Sequence, residues 1–207
     1  MSGVYEGGLK IWECSLDLVD YIFANKSLVQ GKRVFELGCG QALPAIASYK
    51  CGALSVTVQD FNKEVIEKCT RPVFDLNESP GVTFMFGSWE NLADDSSLKG
   101  VFDVVIMSET LYNVEYYPSL FNFIDQCLAP NGVVIVGTKT FYYGLGGGQF
   151  ELEKYLKKRY AYKQLSLMPE VLLKINDLKS IERVILKLNW SEQNSLVQIE
   201  EENDFKL

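Results

Sequence analysis

The sequence predicts an α/β fold: a seven-stranded, mostly parallel sheet with helices on both faces and an antiparallel strand pair at its C-terminal edge. Three observations carry this. Short apolar runs alternate with helix-like stretches along the first 160 or so residues, which is the signature of stacked βαβ units. Most of these runs are apolar at consecutive rather than alternate positions, as strands covered on both faces require. Two more strand-like runs then follow one another with no helix between them.

The first helix is expected over 16–23, with Leu16, Leu18, Val19, Ile22 and Phe23 on one side. Strands are expected at 33–37, 55–59, 82–86, 102–107 and 132–136, each ending near Gly, Asp or Ser or starting after a Pro/Gly turn. The intervening helices are placed at 42–49, where Pro44 is tolerable in a first turn, from Asn62 as N-cap through Val65, Ile66 and Cys69, at 116–128 and at 149–160. Residues 162–167 and 181–189 are expected to form the closing pair, with a turn or short linker at 175–180, and their charged residues suit a protected edge. Residues 1–190 read as a single domain, and 191–207 as an acidic tail expected to fray.

Composition removes several function classes. The 207 residues carry a formal charge of −7, a poor match to a phosphate backbone and a better one to a neutral ligand or a basic partner. No apolar run is long enough for a membrane span, and residues 1–10 do not read as a signal peptide. Histidine is absent, so a Ser-His-Asp triad, a Cys-His pair and a histidine metal site are excluded, and no metal is expected. The five cysteines are odd in number and scattered without a CxxC, which points to reduced thiols in a cytoplasmic or nuclear protein. A monomer is the default expectation.

The chemistry-bearing signal begins at Glu36-Leu37-Gly38-Cys39-Gly40, where a strand runs through two glycines into a helix. Glycines there let the backbone approach a ligand, with a helix N-terminus behind it. Twenty residues on, Asp60 ends the next strand, where an acid can accept ribose hydroxyls. A dinucleotide fold of the GxGxxG kind has glycine where this chain has Leu43, and no P-loop lysine is present. The plain alternative is a tight strand-to-helix turn with a chance acid downstream.

The E-L-G-C-G run resembles motif I of the Rossmann-like, seven-strand S-adenosylmethionine-dependent methyltransferases. Four further blocks narrow the likeness: G-L-K-I-W-E-C-S from Gly8, Gln59-Asp60-Phe61-Asn62, S-E-T-L-Y-N from Ser108, and the stretch from Lys139 through Phe141, Tyr142 and Tyr143 to Gly146-Gly147-Gly148. Together they resemble the histidine protein methyltransferases, from Gly8 to about Trp190. The resemblance implies S-adenosyl-L-methionine as cofactor, S-adenosyl-L-homocysteine as product, and a histidine of a basic large-subunit ribosomal protein as acceptor. It implies that Ile11, Trp12, Glu13, Cys14 and Ser15 lie near the methionine end of the cofactor, and that Glu36, Gly38 and Gly40 form the backbone approach. Asp60, flanked by Gln59 and Phe61, would take the ribose. Gly87, Ser88 and Trp89 would cover the adenine, and Ser108 would sit beneath the sulfonium. Glu109, Tyr112 and Asn113 would act on the acceptor, with Lys139, Phe141, Tyr142, Tyr143, Gly146 and Gly147 around it and the glycine run as a flexible loop.

An imidazole of pKa about 6.5 is largely neutral at pH 7, so it needs orientation more than a strong base. Two other readings compete. Lysine methyltransferases of the neighbouring branch carry D-x-x-Y where this chain has Glu109-x-x-Tyr112, and a lysine must lose a proton before attack. A cofactor-binding scaffold without catalysis is the third.

Overall fold

The computed structural model describes residues 7–161, 163–176 and 180–192. Seven strands form one sheet: β1 (Arg33–Leu37), β2 (Ser55–Asp60), β3 (Thr83–Phe86), β4 (Phe102–Ser108), β5 (Leu128–Lys139), β6 (Leu165–Ile175) and β7 (Arg183–Glu192). Their spatial order is β3-β2-β1-β4-β5-β7-β6. The first five run parallel, and β7 inserts antiparallel to both β5 and β6. The expected class and the antiparallel closing pair are both present.

The helices are α1 (Glu13–Ala24), α2 (Leu43–Lys50), α3 (Lys63–Val65), α4 (Arg71–Leu76), α5 (Trp89–Ala93), α6 (Tyr117–Cys127) and α7 (Gln149–Tyr160). A π-helical turn, Ile66–Thr70, joins α3 to α4. Successive strand residues serve opposite faces. Phe35, Leu37, Val105, Met107, Val134 and Val136 pack on one side with Phe121 and Ile124 of α6 and Leu152 and Leu156 of α7. Val34, Val104, Ile106 and Ile135 pack on the other with Leu18 and Ile22 of α1 and Ala47 of α2. Consecutive apolar residues in the sequence are therefore the two linings of a three-layer core.

Several boundaries and faces differ from the sequence reading. The buried stripe of α1 is Cys14, Leu18 and Ile22, spaced by four, while Leu16 and Phe23 are exposed. The Pro130-Asn131-Gly132 turn does not precede β5 but bulges within it, between the Phe102–Leu128 and Val104–Val133 pairs. β6 runs on through Pro169 to Ile175, since an edge strand tolerates a residue without an N–H. Asn62 precedes α3, but its side chain makes no cap, and its buried Nδ2 has no partner among the described residues. β7 extends to Glu192, so Ser191 and Glu192 of the expected tail belong to the sheet; residues 193–207, like 1–6 and 177–179 of the expected turn, lie outside the described residues.

Candidate active site

β1 and β4 are neighbours in the sheet, yet the chain leaves β1 toward β2 and leaves β4 toward β5. This is a topological switch point, where open α/β sheets bind ligands beyond the strand carboxyl ends. A cleft of about 410 Å³ opens there.

Its floor is the turn after β1. Gly40 has φ +49, and an added Cβ would stand 2.9 Å from the Gly8 carbonyl oxygen, so the strap around Gly8 rests on it. The Gly40 N–H donates to Asp60 Oδ2 at 3.0 Å, and the Asn62 N–H donates to Oδ1 at 3.1 Å. Asp60 at the end of β2 thus fixes the glycine turn while itself lining the cleft. Gln59, 1% exposed, is a stitch. Its Oε1 accepts the Gly38 N–H (3.2 Å) and the Trp89 indole N–H (3.1 Å), and its Nε2 donates to the Gly87 carbonyl (2.8 Å). One side chain thereby ties the turns after β1 and β3 together. Ser88 caps α5 by accepting the Asn91 N–H at 3.3 Å, and also lines the cleft with Gly87 and Trp89.

Glu36 is placed elsewhere. It is buried and does not line the cleft; its Oε2 accepts the Ala45 N–H at 2.8 Å. That caps α2, whose own N-cap residue, Ala42, supplies no side-chain acceptor. Burial pushes the Glu36 carboxyl up to about 8 from 4.5, with the Ala45 hydrogen bond opposing the rise and the Asp60 charge adding to it. A raised folded-state pKa means that the contribution to stability is complete below about pH 4.5 and is lost as pH climbs through about 8. Glu36→Gln keeps an acceptor for Ala45 and removes the titration. Thermal melts should give similar Tm values for both proteins at pH 5, with the variant at least about 5 °C higher at pH 9, given roughly 2–4 °C per kcal/mol at this chain length. A parallel pH dependence of the two proteins would overturn this account.

The strap forms the outer wall. Trp12 donates its indole N–H to the Gly7 carbonyl at 3.2 Å, Lys10 Nζ lies 4.2 Å from its ring centroid, and Gln41 Nε2 donates to the Leu9 carbonyl at 3.1 Å. Ile11, Trp12 and Ser15 line the cleft, as does Phe61, whereas Glu13 and Cys14 do not. Cys14 is buried, and its thiol is driven far up by burial and then by the charge of Glu109.

At the β4 end stand Ser108, Glu109 and Tyr112, all lining the cleft. Ser108 Oγ is buried without a hydrogen-bond partner among the described residues. Glu109 adopts φ +54, a left-handed conformation that costs a residue with a Cβ about 1–2 kcal/mol. Its Oε2 accepts the Tyr142 hydroxyl at 2.8 Å and lies 3.6 Å from Lys139 Nζ, while Lys139 also reaches Glu13 at 3.4 Å. Burial and the Glu109 charge both raise the Tyr142 phenol, so it stays a donor.

The remaining acceptor candidates do not line the cleft. Asn113 spends its Oδ1 on the Glu115 N–H at 3.0 Å. Phe141 and Tyr143 are exposed and meet edge to face at 5.0 Å. Lys139 and Tyr142 reach Glu109 instead. The glycine run is not a loose loop: Gly147 N–H donates to the Tyr112 carbonyl and Gly148 N–H to the Leu111 carbonyl. A Cβ on Gly147 would fall 2.1 Å from the Leu111 oxygen, so these glycines serve close backbone packing, with Gly146 bridging Asn113. The cleft also includes Gly7, Lys10, Gln41, Thr110, Tyr116 and Ser119, which sequence reasoning passed over. Tyr116 stands four residues after Tyr112, with ring centroids 6.1 Å apart; that spacing was the available signal.

A family model described as lysine methyltransferase matches residues 2–143. The chain belongs to this methyltransferase family. A histidine protein methyltransferase 1 homolog of Dictyostelium discoideum is 42% identical over 158 residues, covering 75% of this chain and 50% of its own length. The homolog of the same name from Bos taurus is 34% identical over 197 residues, covering 81% and 52%. The chain spans about half the length of the curated relatives it matches. Among solved structures, M. jannaschii TYW2 in complex with AdoMet superimposes with TM-score 0.59 at 16% identity, over 89% of this chain and 79% of that one. That likeness is one of fold.

The residues present fit S-adenosyl-L-methionine. The cleft carries Asp60, Glu90 and Glu109 against Lys10, an excess of negative charge suited to a cationic ligand. Ser108 Oγ is a buried polar atom awaiting a partner. Trp12, Phe61 and Trp89 offer apolar walls for a flat base. Asp60, the Gly38–Gly40 backbone and Ser108 are the groups that would hold the cofactor.

Proposed function

We propose that this protein is an S-adenosylmethionine-dependent methyltransferase that methylates a ring nitrogen of a protein histidine. The observation that carries the reading is the single continuous cleft, in which the Gly38–Asp60 floor runs into Ser108, Glu109 and Tyr112 at the switch point. The cofactor, when bound, supplies a methyl group on a positively charged sulfur. The chain's own residues bind it through Asp60, exclude water with Trp12 and Trp89, and orient the acceptor at Glu109 and Tyr112. A largely neutral imidazole needs only that alignment to be nucleophilic.

The histidine relatives support this acceptor over lysine, while the family description and Glu109-x-x-Tyr112 favour lysine as the second reading. Within the first reading, the acceptor is a basic large-subunit ribosomal protein, met in the cytoplasm or nucleus by a monomer with no direct nucleic-acid contact. The acidic balance of the chain and its five cysteines without a disulfide support that setting. The test is transfer from methyl-labelled S-adenosylmethionine into ribosomal proteins of cells lacking the enzyme, followed by amino-acid analysis. Label is expected in methylhistidine. Label in methyllysine alone would replace this reading with the second.

A further inference from the structure

Glu109 is held in an unusual way for a carboxylate in a ligand cleft. One oxygen is taken twice over: the Tyr142 hydroxyl donates to Oε2 at 2.8 Å, and Lys139 Nζ stands 3.6 Å from it. The other oxygen, Oε1, is buried and receives no hydrogen bond among the described residues. Cys14, the thiol neighbour of Glu109, is a weak donor at best. The backbone beneath is left-handed, and strain together with an unsatisfied buried acceptor marks a position kept for a ligand. The Lys139 side chain is itself mostly buried, 18% exposed, and its second partner, Glu13, is 54% exposed. Solvent screens Glu13, so within the buried part of the site Lys139 answers the charge of Glu109.

We propose that Lys139 and Tyr142 are positioning residues that select the acceptor: they occupy one oxygen of Glu109 and cancel its charge, leaving the other to accept the N–H of a neutral imidazole while disfavouring a lysine ammonium. This rests on the histidine reading above. A neutral ring with one bare nitrogen carries its N–H on the other, the donor that Oε1 lacks. Methylation at the bare nitrogen makes the ring a cation, and the N–H proton then leaves to Glu109, returning the ring to neutrality. An ammonium entering the same place would have to shed its water beside Lys139 with no uncompensated carboxylate to meet it, an arrangement that burial penalises.

The experiment compares wild type with Lys139→Met, Lys139→Arg and Tyr142→Phe. The probe is large-subunit ribosomal protein from cells lacking the enzyme, which offers histidines and lysines in one mixture. The readouts are the ratio of methyllysine to methylhistidine, kcat and KM for the mixture, and affinity for S-adenosylhomocysteine by calorimetry. S-adenosylhomocysteine affinity within about twofold of wild type establishes that each variant is folded with its cofactor site intact. Lys139→Met should raise the methyllysine share at least about tenfold, and Lys139→Arg should restore the wild-type ratio. Tyr142→Phe should lower kcat about tenfold or more at an unchanged KM. Methylhistidine from wild type with unaltered ratios and rates in the variants would overturn the selector alone. Methyllysine from wild type would overturn the histidine reading and the selector with it. Loss of S-adenosylhomocysteine binding in step with activity would overturn it too, by placing Lys139 and Tyr142 in the support of the cofactor site.

Discussion

Asp60→Ala should weaken S-adenosylhomocysteine binding at least about a hundredfold, equivalent to about 2.8 kcal/mol. Asp60 is 5% exposed, and its carboxylate does two jobs. It lines the cleft, and it accepts the N–H groups of Gly40 and Asn62. Hydrogen bonds to a charged acceptor contribute about 1.5–3 kcal/mol each. Removing the carboxylate therefore loosens the glycine turn as well as deleting a ligand group. Asp60→Asn sharpens the test, because it preserves shape. Both carboxylate oxygens accept from backbone donors, and an amide has only one oxygen. One N–H would face the NH₂ group, so even this near-isostere should lose at least about tenfold in affinity. Calorimetry with S-adenosylhomocysteine reads both variants, and wild-type affinity in Asp60→Asn would show that the carboxylate is not the keystone of the turn.

How much of this was legible depends on the distance over which each contact acts. The sheet could be read because strands buried on both faces are apolar at every residue, as in Val104-Val105-Ile106-Met107. The glycine turn and Asp60 could be read because their spacing is local and repeats one βα unit. The face of α1 was misjudged because apolarity alone overcounts: Leu16 and Phe23 are apolar and exposed, whereas the four-residue spacing of Cys14, Leu18 and Ile22 marks the stripe that α1 buries. The resemblance grouped Lys139 and Tyr142 with Glu109 around the acceptor, but their direct contact with its carboxylate was not legible. It arises from the register of β4 on β5, where Ser108 pairs with Gly137 and the Glu109 N–H reaches the Gly137 carbonyl. Pattern along the chain carries no such register. Asn113 and the glycine run stood out as reactive or mobile in sequence, but the structure spends them on backbone hydrogen bonds.

The glycine run yields the second large expected effect. Gly147→Ala should destabilise the protein by at least about 3 kcal/mol, the upper end of ordinary overpacking, and lower Tm by roughly 6–12 °C. The added carbon would fall 2.1 Å from the Leu111 carbonyl oxygen and 2.5 Å from the Tyr112 carbonyl carbon and oxygen. These are backbone atoms and cannot rotate aside as a side chain would. Gly146→Ala is the matched control. Gly146 has φ +71, but a Cβ there meets nothing within 4 Å, so its cost is conformational strain of about 1–2 kcal/mol. The two substitutions add the same carbon one residue apart and separate crowding from strain. The crowded segment carries Tyr112 into the cleft, so Gly147→Ala should also depress turnover at temperatures where it remains folded, while Gly146→Ala should not. Equal melting points for the two variants would mean that the 111–112 backbone yields readily, and that the glycine run is the flexible loop its composition first suggested.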